Sequence, residues 1–284
     1  MRGMEDATGK IEQLGPLVRR LLAPNPSPFT FTGTQTHIVG RGEVAVIDPG
    51  PDSPAHIEAL LRATAGERIV AIVCTHTHRD HSPGTRPLKE ATGAPIIGCA
   101  ALALTDQGEE ESFDPDYAPD GVLANGEALE GEGWTLEAVA TPGHTSNHLC
   151  FAMAQERALF SGDHVMGWST TIVSPPDGDM AAYMASLAKL QARDEAIYYP
   201  AHGPAVEAPQ KLLRGLILHR RHREAQILAE LGAAPQSIGA MVQRMYRDVD
   251  PRLHPAAERS VLAHLIDLES RGRVSRDAAA WRLA

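Results

Sequence analysis

The chain has 284 residues, 43% of them hydrophobic and 22% charged, with a formal net charge of −10, the composition of an ordinary globular protein with room for one large domain and a small one. It contains no run of eighteen or more apolar residues, which excludes a conventional membrane-spanning helix. Met1 to Leu22 lacks the long apolar core and small-residue cleavage site of a signal peptide, so a cytoplasmic location and no membrane partner are expected.

The segment up to about Pro28 reads as a loose arm or edge element, broken by Pro24, Pro26 and Pro28. Strands are expected at Phe29–Phe31, Thr36–Val39 and Val44–Ile47, with a turn at Gly40–Gly42. Helical spacing over Pro54–Ala65, with Ser53 as its cap, precedes the apolar run Ile69–Cys74, which has the character of a buried strand. A helix over Thr85–Thr92 and a strand at Pro95–Gly98 follow, then an acidic stretch, 106–120, that reads as a surface loop. Strands resume at Trp134–Ala140, His148–Met153, Ala158–Ser161 and Ala196–Tyr199, with an amphipathic helix at Asp179–Arg193. Pro209–Leu231 predicts a long helix with a basic middle. Two shorter helices (Ser237–Tyr246 and Ala256–Arg271) and a strand pair split by Ser275-Arg276-Asp277 give a winged-helix-like order. The expected division is 1–210 and 211–284. Charge follows it: residues 1–210 hold 13 Lys and Arg against 28 Asp and Glu, and residues 211–284 hold 13 against 8. Cys74, Cys99 and Cys150 are far apart and flanked by apolar residues, which predicts buried reduced thiols.

The chemistry concentrates in Thr75-His76-Thr77-His78-Arg79-Asp80-His81, directly after a predicted buried strand. Four imidazole or carboxylate donors in six residues are hard to bury without a cation, and they are the ligands that zinc favours. His144, Asp163 and His202 each lie at the end of a predicted strand beside a small or turn-forming residue that lets the backbone come close to a metal.

With these seven positions the sequence resembles the metallo-β-lactamase superfamily, whose H-x-H-x-D-H motif is followed by a distant His, Asp and His. The resemblance covers about residues 25–210 and implies an α/β fold, a four-layer αββα sandwich, with a small winged-helix-like C-terminal domain appended. It implies His76, His78 and His144 on one metal, Asp80, His81 and His202 on the other, Asp163 bridging both, and hydroxide held between the ions as nucleophile. Two zinc ions are expected, with manganese or iron as alternatives. Asp80, Asp163 and His164 are the expected catalytic residues, His164 being read equally as touching the substrate or an oxygen on the metal and as a packing residue.

Around this set, Asp48 is expected to hold a ligand histidine and His148 to buttress the site. Ser169, Thr170 and Thr171 are candidates to line the pocket, and His37 is read equally as a substrate contact or a strand histidine. Trp134 and Trp281 are expected in cores, and His219, His222, His254 and His264 outside the chemistry. Three further stretches are similar to the branch typified by beta-lactamase-like protein 2: Asn25 to Thr34, His219 to Gln226, and residues 233–284. The expected activity is hydrolysis of a small-molecule ester, thioester or lactone. Single-strand-specific RNA cleavage and a non-catalytic metal-binding regulatory role are the alternatives. RNA and a second copy of the chain stand as further partners.

Overall fold

The computed structural model describes residues 8–102, 112–277 and 280–284. Two compact units are present. The first comprises the chain up to Ala140, Asn147–Ser169 and Asp194–Pro209; the second comprises Thr141–Ser146, Thr170–Arg193 and everything from Gln210 onward.

The first unit contains two sheets. One runs in the order β1 (Glu12–Gln13), β2 (Val18–Leu22), β3 (Gln35–Arg41), β4 (Glu43–Ile47), β5 (Arg68–Cys74), β6 (Ile96–Gly98) and β7 (Gly121–Val122). The other has β8 (Ala128–Gly131), β9 (Trp134–Ala140), β10 (Leu149–Met153), β11 (Ala158–Gly162) and β12 (Ile197–Pro200) side by side. Residues of both, among them Ile38, Val46, Ile72, Leu136, Phe151 and Phe160, form a single buried cluster. α1 (Pro54–Ala63) carries the chain from β4 to its parallel neighbour β5, and α2 (Thr85–Thr92) from β5 to β6. β11 and β12 are also parallel. Parallel strands end together, and their carboxyl ends are where open α/β sheets place ligands. Here those ends deliver Asp48 and the 75–81 motif from one sheet, and Asp163 and His202 from the other.

The second unit holds α3 (Met180–Gln191), α4 (Pro209–Ala233), α5 (Ile238–Met245), α6 (His254–Ser270) and the hairpin β13 (Val274–Asp277) with β14 (Ala280–Leu283). Its own core joins Ile227, Leu231, Met241, Val261, Leu265 and Trp281. Trp134 is likewise a core residue, its indole N–H donating to the Glu43 carbonyl at 2.9 Å. All three cysteines are buried thiols outside any disulfide. Among the described residues, no helix is long and apolar enough to cross a membrane.

Several local expectations need correction. Of the two readings of the first segment the edge element holds and the loose arm does not: β1 lies at the sheet edge and Val18–Leu22 pairs with β3 over five residues, its Arg19 buried against Glu67 at 2.8 Å. Phe29–Phe31 is a turn. The Ser27 hydroxyl accepts from the backbone N–H groups of Phe29 and Thr30, offering them an alternative to a strand ladder. Ser53 occupies the helix cap without a side-chain hydrogen bond; Pro54 at the first helical position starts α1 instead. Ser275, Arg276 and Asp277 lie within β13 and do not divide the hairpin. Of the expected surface loop 106–120, residues 106–111 lie outside the described residues. Beyond them Phe113, Asp114 and Tyr117 are buried.

Candidate metal centre

Asp48 follows β4 directly and adopts φ +50, a left-handed conformation that Asp tolerates better than most residues. Its Oδ1 accepts from the Thr75 N–H at 2.8 Å, and its Oδ2 from the Thr75 hydroxyl at 2.8 Å and from His81 Nδ1 at 3.0 Å. The Thr75 hydroxyl has thereby spent its proton, so at 3.0 Å it accepts from His76 Nδ1. One carboxylate therefore fixes the tautomer of two histidines, leaving the Nε2 lone pair of each for a cation.

His202 is oriented similarly, with Nδ1 on the Gly33 carbonyl at 3.3 Å. Its Nε2 lies 3.1 Å from Asp80 Oδ2 and 3.2 Å from Asp163 Oδ1. His81 Nε2 lies 3.4 Å and 3.6 Å from the same two oxygens. Donors about 2.0–2.2 Å from one tetrahedral ion stand about 3.3–3.6 Å apart, so these four atoms have the spacing of a ligand set. On the other side, His76 Nε2 and His78 Nδ1 are 2.9 Å apart. They and an atom of Asp163 all lie within 4.8 Å of one another. The donor chemistry, imidazole lone pairs with two carboxylates, fits a borderline divalent cation.

Acids and imidazoles pair across the cluster. Burial pushes the Asp80 carboxyl up, but His81 and His202 beside it hold it well below the usual carboxylate range. Burial likewise opposes charge on Asp163, and His202 and His81 overcome it. Against the downward pull of burial, Asp163 and Asp80 lift His202 to about 10, while Asp80, Asp163 and Asp48 raise His81 well above its ordinary value.

Supporting contacts come from several elements. Gly162 has φ +49, and a Cβ there would come within 2.7 Å of His148 Nε2 and 2.9 Å of the Thr75 hydroxyl, so the bend that presents Asp163 requires glycine. His148 Nε2 accepts from the Asp163 N–H at 3.2 Å, the buttress expected of it. His164 is fully buried, its ring 5.9 Å from that of His148. His144 belongs to the second unit, where its Nδ1 donates to the Ile172 carbonyl at 2.6 Å. The loop that carries it is tied to the start of α3: the Asp179 N–H donates to the Gly143 carbonyl at 2.9 Å, and Asp177 accepts from the Ser146 N–H and hydroxyl.

His37 is a buried strand histidine beside Phe160 and Tyr199. Ser169 is exposed and Thr170 partly so; Thr171 is buried, its carbonyl accepting from Arg220. His219, His222, His254 and His264 all lie in the second unit. Two contributors escaped sequence reasoning. Thr34 donates its hydroxyl to Asp80 Oδ2 at 3.2 Å and is itself held by Asn25, whose side chain meets its N–H and its hydroxyl at 2.9 Å. The Asn25-to-Thr34 motif carried that signal. Phe113 stacks on the His78 ring, centroids 4.5 Å apart, and nothing in its acidic sequence neighbourhood announces it.

Residues 30–202 match the family model of the metallo-β-lactamase superfamily, and residues 237–281 that of the beta-lactamase associated winged helix domain. The chain is 33% identical to an atrochrysone carboxyl ACP thioesterase of Aspergillus fumigatus over 89% of its own length and 82% of the relative's. It is 35% identical to a beta-lactamase-like protein 2 homolog of Caenorhabditis elegans, over 78% and 73% of the two chains. A beta-lactamase domain protein from Burkholderia ambifaria shares the fold, with TM-score 0.83 at 21% identity over 98% of this chain and 94% of that one.

Proposed function

The chain belongs to the metallo-β-lactamase superfamily and is a hydrolase with that family's α/β sandwich followed by a winged helix, and from this premise we propose that it is a binuclear metal-dependent hydrolase of thioesters or closely related carboxylic esters. The observation that carries the reading is the spacing of 3.1–3.6 Å among Asp80, His81, Asp163 and His202 around one point. We assign His76, His78 and His144 to one ion, Asp80, His81 and His202 to the other, and Asp163 to both. Zinc is the first choice, and manganese or iron suits the same donors.

Divalent ions held there would lower the pKa of a water to about 7 and polarise the carbonyl to be attacked. The residues do the rest. Asp48 and the Gly33 carbonyl keep the imidazoles in the tautomer that can bind. Thr34 holds the Asp80 carboxylate, which orients the attacking oxygen. His164, next to Asp163 and with its ring 5.9 Å from that of His148, is assigned to the reacting set as the contact to substrate or to an oxygen on the metal. The likeness to a relative named as an ACP thioesterase supports a thioester as substrate. Cleavage of RNA ranks second. The +5 balance of residues 211–284 favours it, whereas the −15 balance of residues 1–210 repels a polyanion.

The test strips metal with a chelator, reloads zinc or manganese, and offers thioester, lactone and single-stranded RNA substrates. Turnover of a thioester only after reloading is expected. No thioester or ester turnover with two ions bound per chain overturns the reading, and RNA cleavage with salt-dependent binding would put the second in its place.

A further inference from the structure

Three large apolar side chains stand exposed in the two segments that contact the candidate ligand His202. Phe29 is 54% exposed, Phe31 39% and Trp168 36%. Phe31 and Trp168 stack, ring centroids 4.9 Å apart and planes 21° from parallel. Leaving such surface in water is costly, and exposed aromatic patches mark binding sites more often than isolated apolar residues do.

The placement of this stack is tied to the metal ligands through both of its members. Phe31 lies two residues before Gly33, whose carbonyl takes the Nδ1 proton of His202, and three before Thr34, which holds Asp80. Phe31 itself has φ +58, a left-handed conformation that a bulky residue rarely adopts. Trp168 follows Gly167, whose N–H donates to the His202 carbonyl at 3.3 Å. The indole also covers Gly203, where a Cβ would lie 2.8 Å from its ring. The two rings thus come from segments that grip the two polar ends of the same ligand residue.

We propose that the Phe31–Trp168 stack is an acyl-binding platform, and that the substrate is a thioester whose acyl group is apolar and flat, an aromatic acid being the best fit. This rests on the hydrolase reading above. The thiol arm of a biological thioester is a polar amide chain, so the acyl group is the part that gains by covering two rings. Single-stranded nucleic acid also stacks on exposed aromatics, but the acidic excess of residues 1–210 opposes it.

The experiment uses the full-length, metal-reloaded protein and the N-acetylcysteamine thioesters of acetate and 4-nitrobenzoate. Trp168→Ala and Phe31→Ala should each lower the nitrobenzoyl-to-acetyl ratio of kcat/KM about tenfold, mostly through KM, a loss of one stacking contact. Trp168→Phe should restore most of that ratio. Binding is read independently: Trp134 and Trp281 are buried, so quenching of exposed tryptophan fluorescence by 4-nitrobenzoate reports on Trp168. Turnover with an unchanged ratio in both alanine variants refutes the platform and leaves the thioesterase reading intact. No turnover of either thioester, with saturable quenching of Trp168 that Phe31→Ala weakens, refutes the thioesterase reading and keeps the platform. Quenching by oligoadenylate and not by 4-nitrobenzoate overturns the acyl assignment in favour of nucleobases.

Discussion

Asp48 accepts three hydrogen bonds, and through them reaches a histidine in each half of the site: His81 directly and His76 by way of the Thr75 hydroxyl. Asp48→Ala leaves the Thr75 N–H, the Thr75 hydroxyl and His81 Nδ1 without that acceptor in a buried place, and both imidazoles lose their fixed tautomer. Affinity for both ions should fall about 10–100-fold, the usual cost of removing a group that orients metal ligands. Competition with a chromogenic chelator measures it; a loss confined to one ion would contradict the relay through Thr75. Asp163 is a different case, because its Oδ1 sits 3.2 Å from His202 Nε2 and 3.6 Å from His81 Nε2 while the residue also groups with His76 and His78. Asp163→Ala should reduce the metal content after dialysis from two ions to about one per chain, since each half loses a charged donor. Two ions retained at full occupancy would show that Asp163 does not bridge.

At the scale of elements, α4 bears on the candidate ligand His144 through Arg220. The residue is 3% exposed, and its guanidinium donates to the Thr171 carbonyl and lies 5.2 Å from the centre of the Tyr183 ring. The next carbonyl along, that of Ile172, takes the Nδ1 proton of His144. Arg220→Met would keep an unbranched apolar stem and remove the donor, freeing the loop that sets His144. About a tenfold loss of affinity is expected for the ion assigned to His144 and none for the ion assigned to Asp80, His81 and His202. Equilibrium dialysis against zinc resolves the two, with circular dichroism to establish that the fold persists; equal weakening of both ions would mean that Arg220 only stabilises the unit. That dependence could not be read from the sequence, because 76 positions separate Arg220 from His144. The elements themselves were mostly legible. Thr85–Thr92 and Trp134–Ala140 occupy the residues their patterns indicate. The pattern failed where tertiary partners decide. Val18–Leu22 carries two arginines in its middle, yet it is an inner strand because Glu67 neutralises Arg19. Phe29–Phe31 has strand-forming residues, yet Ser27 captures its backbone. The seven candidate ligands stood out because several imidazoles and carboxylates have few other reasons to cluster, whereas Asn25 and Thr34 were legible only as part of a motif and Phe113 is a common residue type whose role exists only in space.

Across the whole molecule, each unit buries a neutral histidine that plays no part in the proposed chemistry. Burial, helped by Arg20, lowers His37 to about 3 in the first unit. In the second, burial lowers His264 to about 3, helped by the nearby charges of Arg220, His219, Arg271 and Arg223. The sign follows from where protons bind. In the unfolded chain these rings take up a proton near pH 6.5, and in the folded chain only near 3, so below 6.5 the unfolded state holds more protons and stability falls with pH. The contribution is intact above 6.5 and is lost progressively down to about 3. At pH 5 each ring costs its own unit about 2 kcal/mol. His264 separates this effect from ligand protonation, because it stands in the core of α6, away from the 75–81 motif in sequence and in the other unit. In metal-free protein, His264→Leu should flatten the decline in stability between pH 7 and 5 by about 2 kcal/mol, read from denaturant unfolding at each pH. Parallel stability curves for the two proteins would mean that the ring is already protonated in the fold, and that the cluster of arginines around it is balanced by an acid.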